Sequence, residues 1–286
     1  MSAFVSVAWL KEHLREPDLV VLDATYFLPN SGRSSHGEFL AAHIPGARPF
    51  DHDEIVAEHS PYPHMRPSLD RWRNALGELG IEADSRVVVY DALGLFSAPR
   101  AWWLFRSFDH AWIRILRGGL PAWLRDQGDT EQGPGTWKQT QYTAGVDLGA
   151  SMVARVEDVQ SALANGLTVL DARAATRFEG RDPEPRPGLR SGHIPGSRNL
   201  PFTALVDADE GALLSASVLQ ARLDQVVAES AAPVIASCGS GVTACVIALA
   251  HYELSRRDVV IYDGSWAEWG SRHDLPIESA AQTDKD

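Results

Sequence analysis

Residues 168–202 read TVLDARAATRFEGRDPEPRPGLRSGHIPGSRNLPF, and residues 20–50 read VVLDATYFLPNSGRSSHGEFLAAHIPGARPF. Each begins as an apolar run ending in Leu-Asp-Ala, crosses a polar loop and reaches His-Ile-Pro-Gly. Asp23 and His43 are 20 residues apart, Asp171 and His193 are 22. The correspondence extends outward. RVVVYDALGLFSAPRAWWLF (86–105) lies over PVIASCGSGVTACVIALA (233–250), and ILRGGLPAWLRDQGD (115–129) over IYDGSWAEWGSRHDL (261–275). From His43 to Asp91 is 48 residues and from His193 to Cys238 is 45. Four landmarks in one order at near-equal spacing mark two copies of one domain. The copies are expected over 1–130 and 151–286. Residues 131–150 are read as the linker, part of a Gly-, Thr- and Gln-rich stretch with little periodicity. Short β-branched runs (Val20–Leu22, Val87–Tyr90, Thr168–Leu170, Val234–Ala236, Val259–Tyr262) alternate with helix-like stretches. That alternation predicts an α/β fold with mainly parallel sheets flanked by helices. Such sheets bind ligands outside the carboxyl ends of their strands, where Asp91 and Cys238 fall.

Composition narrows the function. The 286 residues are 44% apolar and 22% charged, as in globular proteins. Twenty-six basic and 38 acidic residues give a net charge of −12, which argues against general nucleic-acid binding. There is no apolar run long enough for a membrane span. MSAFVSVAWLKEHLREPD predicts a short amphipathic helix rather than a signal peptide. The two cysteines, Cys238 and Cys245, form neither a disulfide framework nor a metal-spaced cluster. A cytoplasmic protein without metal or organic cofactor is expected.

Cys238 stands at the mouth of the loop Cys-Gly-Ser-Gly-Val-Thr-Ala. Gly239 and Gly241 let the chain turn tightly and free amide N–H groups to point inward, and a helix beginning near Thr243 adds its positive end. A thiol in that cradle is favoured as thiolate and becomes a nucleophile. No Arg lies in 239–244 to grip phosphate, so the loop is unlike that of a cysteine phosphatase. A small cradle around a lone thiolate suits sulfur transfer, its amides holding a persulfide. Cys245, within TACVIALA, is read as core. Copy one has Asp91 where Cys238 stands, which cannot act as a sulfur nucleophile, so that copy is expected to be silent.

With HIPG in both copies, CGSGVTA, SPYPHMRP (60–67), LFSAPRAWW (95–103), PEPRPGLRSGHIPG (183–196) and YDGSWAEWG (262–270), the chain resembles the tandem-domain rhodanese superfamily, and most nearly its 3-mercaptopyruvate sulfurtransferases. The resemblance implies two rhodanese-like domains. It also implies transfer of sulfur from 3-mercaptopyruvate through a Cys238 persulfide to thioredoxin, another thiol or cyanide, with release of pyruvate. Arg177 and Arg186 are the residues it implies for donor binding, with Gly239, Gly241, Val242 and Thr243 around the sulfur. Ser240 is the polar side chain expected to hydrogen-bond the substrate or relay a proton. His43 matches the imidazole placed with it in related enzymes, while His193 in the same slot of copy two favours a structural role, capping the turn of IPG, for both histidines. Arg173, Arg181 and Arg190 read as solvated arginines within reach of Glu179, Asp182 and Glu184. Thiosulfate:cyanide transfer, or a persulfide-carrying or partner-binding module, are the alternatives.

Overall fold

A computed structural model of the chain describes residues 2–227, 233–255 and 259–280. The chain divides into two compact units: Met1–His59 with Arg66–Gly149 and Asp207–Ala212, and Ser60–Met65 with Ala150–Val206 and Leu213–Asp286. In the first, β1 (Phe4–Val5), β2 (Leu19–Asp23), β3 (Arg48–Pro49), β4 (Arg86–Tyr90) and β5 (Ile113–Leu116) make a parallel sheet of order β1-β5-β4-β2-β3. In the second are β6 (Val153–Ala154), β7 (Val169–Asp171) and β8 (Arg198–Asn199); next along the chain comes a two-stranded ribbon, β9 (Val206–Asp207) and β10 (Ala212–Leu213), whose residues Asp207–Ala212 belong to the first unit. β11 (Val234–Ser237) and β12 (Val259–Tyr262) follow, and the parallel sheet order is β6-β12-β11-β7-β8. Term for term this is the order of the first sheet. The duplication read from sequence is thus a duplication of topology.

Every residue of β2 and of β11 is buried, as parallel strands covered on both faces require. Around the second sheet Val156, Val159, Ile194, Ile235, Tyr262, Trp266 and Trp269 close one core; around the first, Leu10, Val21, Phe39, Val88, Tyr90 and Trp123 close another. Each large side chain so buried contributes about 1.5–3 kcal/mol. No helix among the described residues is long and apolar enough to cross a membrane.

The two HIPG histidines do the same structural work. His43 stacks on Phe39 and shares its Nδ1 with the Phe39 carbonyl at 2.8 Å; His193 stacks on Phe178 and meets the Phe178 carbonyl at the same distance. Each bridges in antiparallel fashion to a segment that follows its own sheet, His43 to Glu131 and His193 to Glu278.

The stretch read as linker is laid down on the first unit. Thr140 N–H donates to Gly77 O (2.9 Å), Val146 N–H to Phe108 O (3.1 Å), and buried Tyr142 pairs its hydroxyl with His110 Nδ1 at 2.9 Å. Its polarity reflects one-sided docking of an extended chain.

Candidate active site

Chain order fixes where the second sheet opens. From β7 the chain moves outward to β8, whereas β11 pairs on the other side of β7 and leads away to β12. The loops after β7 and β11 therefore diverge at a topological switch point, where open parallel sheets form their crevice. The first of these loops carries Arg173, Arg177, Glu184 and Arg186, and the second carries Cys238.

Cys238 is the first residue beyond β11 and is 1% exposed. The helix Ser265–Trp269 holds its loop from behind. Trp266 N–H donates to Cys238 O (3.0 Å) and Ala267 N–H to Gly239 O (2.9 Å). Fully buried Ser265 accepts from Cys238 N–H at 3.2 Å and donates to Tyr262 O at 2.7 Å. With its carbonyls anchored, the loop turns through Gly241 at φ 77°, a left-handed angle suited to glycine. The helix Ala244–Glu253 follows, with Thr243 at its N-cap position. The N–H groups of Gly239, Ser240, Val242 and Thr243 find no acceptor among the described residues. Cys245 lies in that helix, fully buried, its thiol on Gly241 O at 3.3 Å.

The first unit displays what this loop shape does. Asp91, the fully buried counterpart of Cys238, accepts four backbone N–H groups: Leu93 on Oδ1 at 2.9 Å, and Phe96, Ser97 and Ala98 on Oδ2 at 2.8, 2.9 and 2.8 Å. The loop between strand and helix is an anion cradle, filled in copy one by the protein's own carboxylate.

The imidazole at Ser240 is that of His64, and His43 has the structural place that its counterpart His193 suggested. Ser240 Oγ lies 2.8 Å from Nδ1 of His64, within the second unit, and both residues are buried. His43 belongs to the first unit and is sealed between Phe39 and Glu131. Sequence reasoning passed over His64 because SPYPHM has no counterpart in the other copy and stands 176 residues from Ser240.

The arginines sort by burial. Arg177, on the short helix Ala175–Phe178, approaches the cysteine loop so closely that a methyl group built on Gly239 would come within 3.2 Å of its Nη2. The same Nη2, together with Nε, pairs with Glu184. Arg186 is half-buried on the same loop. Arg173 is not solvated: it lies over Trp266 at 4.3 Å and binds Asp171 (2.7 Å), Glu184 (2.7 Å) and Gly192 O (2.8 Å). Burial opposes its charge, but Asp171 and then Glu184 hold its pKa above the ordinary arginine value. Arg190 likewise turns inward, donating to the carbonyls of Gly270, Leu275, Trp269 and Arg272. Arg181, exposed and paired with Glu179, is the surface arginine the sequence suggested.

A duplicated parallel domain, one copy offering a cysteine at its switch point and the other a captive aspartate, defines a two-domain rhodanese-like protein. The rhodanese-like domain family matches residues 6–126 and 155–272, and the chain belongs to that family. It is 43% identical to the 3-mercaptopyruvate sulfurtransferase of Escherichia coli strain K12, over 96% of this chain and 97% of that one. To the mitochondrial thiosulfate/3-mercaptopyruvate sulfurtransferase 1 of Arabidopsis thaliana it is 40% identical, over 96% and 78%. The crystal structure of SseA from Escherichia coli superimposes with a TM-score of 0.83 at 39% identity, covering 93% of this chain and 99% of that one.

Proposed function

We propose that the protein is a 3-mercaptopyruvate sulfurtransferase working through a persulfide on Cys238. The observation that carries this reading is the pair of loops: one cradle holds a carboxylate by four amides, and its twin presents a thiol at the same strand end. Relatives named for this activity, similar along nearly their whole length, support the choice of donor.

Arg177 and Arg186 bind the donor's carboxylate and ketone by guanidinium forks. The Cys238 thiolate attacks the donor sulfur, forming an S–S bond as the C–S bond breaks. The bonding pair of that C–S bond leaves with the carbon fragment as pyruvate enolate. The donor's thiol proton passes through Ser240 and His64 to the enolate, giving pyruvate, and the negative charge stays on the outer sulfur of Cys238. The amides of Gly239, Ser240, Gly241, Val242 and Thr243 stabilise that anion. A thiol such as reduced thioredoxin, or cyanide, then takes the outer sulfur and restores the thiolate.

Incubation with 3-mercaptopyruvate is expected to add about 32 Da, one sulfur atom, to the Cys238 peptide. Cys238→Ser is expected to form no pyruvate; pyruvate formation at the wild-type rate would end this reading. The Arabidopsis relative is named for thiosulfate as well, so kcat/KM for the two donors decides which is preferred.

A further inference from the structure

Four charges are joined by direct contacts at Arg177. Arg173 and Arg177 supply two positive charges, Asp171 and Glu184 two negative ones, all within direct contact. Glu184 joins them: its side chain is 2% exposed and its carboxylate bridges both guanidiniums. Pro183 and Pro185 flank it and stiffen the backbone that presents it. Copy one lacks this arrangement. Thr25 stands where copy two has Arg173, and Arg33, the arginine of the equivalent stretch, pairs with Glu38 on the surface.

With its Nε and Nη2 on the buried Glu184 carboxylate, the Arg177 guanidinium keeps its Nη1 N–H groups for a donor but loses most of its excess potential. We propose that Glu184 is the residue that sets donor charge, tuning the Arg177 subsite to a monoanionic 2-oxo carboxylate against a dianion such as thiosulfate. The inference rests on the reading of Arg177 as a donor-binding residue. Removing the Glu184 charge leaves one positive charge uncompensated beside the cysteine loop. A dianion gains twice the Coulomb energy of a monoanion from that charge, so the preference moves toward thiosulfate.

The test is the ratio of kcat/KM for thiosulfate to kcat/KM for 3-mercaptopyruvate, with cyanide as acceptor in both assays. Glu184→Gln, which keeps the shape, is expected to raise the ratio about tenfold or more. Glu184→Asp, which keeps the charge, is expected to leave it within about twofold. Arg177→Gln, at a more exposed position, leaves the set one charge negative and is expected to lower the ratio, a result that stands even if Glu184→Gln fails to fold. Equal losses for both donors in Glu184→Gln, with the ratio unmoved, would reduce Glu184 to a structural brace and overturn the proposal. A wild-type protein that loads sulfur onto Cys238 from neither donor would instead overturn the functional reading, and this inference with it.

Discussion

Ser265 occupies a left-handed backbone position, φ 49°, that copy one gives to Gly119 at φ 55°. Both copies use the next amide identically: Leu120 N–H donates to Asp91 O at 3.1 Å, Trp266 N–H to Cys238 O at 3.0 Å. Holding a serine there costs of order 1–3 kcal/mol, and what the second copy gains is a hydroxyl fixing the Cys238 amide against β12. Ser265→Gly relieves the strain and removes the hydroxyl together, so stability is expected to stay within about 2 kcal/mol of wild type. Sulfur transfer is expected to fall about tenfold, as for a loosened charge-stabilising loop. Alkylation of Cys238 by iodoacetamide at neutral pH is expected to slow in step. Unchanged rates of alkylation and of sulfur transfer in Ser265→Gly would make the hydroxyl a structural tether only. Part of this was legible in the sequence: a thiol among glycines, with five arginines in residues 171–196 against Arg33 alone in the matching residues 23–46, suggests the chemistry. Burial was not. Arg173 and Arg181 look alike as letters, yet one is buried over Trp266 and the other is on the surface. His64 was hidden because a contact between a loop and a distant turn leaves no periodic trace.

The elements were read well where period governs them. Val20–Leu22 lies inside β2, Val87–Tyr90 inside β4 and Val234–Ala236 inside β11, because buried parallel strands are runs of β-branched residues. The docking of residues 131–150 on the first unit leaves little pattern in the sequence, because it depends on scattered residues such as Thr140 and Tyr142. The equivalent strand ends of β2 and β7 differ in one consequential way. Asp171 is paired with Arg173, whereas Asp23, equally buried, has Thr25 in that place. Burial raises the Asp23 pKa, with hydrogen bonds from Thr25 and Tyr90 offsetting only part of it. Between the free carboxyl value and this raised one, the native state keeps a proton that the unfolded chain has released. The group therefore favours folding at low pH, and its contribution declines as pH climbs through that window. Asp23→Asn removes the titration. Its melting temperature, relative to wild type, is expected to be higher at about pH 7 than at about pH 4. An identical difference at both pH values would contradict the assignment.

For the whole molecule, duplication supplies its own control experiment. Two sheets of one strand order carry two loops at one position, and only the occupant differs: a carboxylate under four amides in one, a thiol in the other. The copy-one loop is one residue longer from Asp91 to its N-cap Ser97 than the copy-two loop from Cys238 to Thr243. If the loops are equivalent cradles despite that residue, Cys238→Asp reproduces the silent copy in the second domain. Hydrogen bonds to a charged acceptor are each worth about 1.5–3 kcal/mol, and desolvating the carboxylate takes back much of that sum. The net expectation is a folded protein that transfers no sulfur and resists chemical denaturation about 1–3 kcal/mol better than Cys238→Ser, whose neutral hydroxyl leaves the amides without an anion. The same comparison separates the two things the cradle does. A Cys238→Asp protein less stable than Cys238→Ser would mean that the second loop does not gather its amides around an anion. The persulfide would then lack the stabilisation on which the proposed chemistry depends.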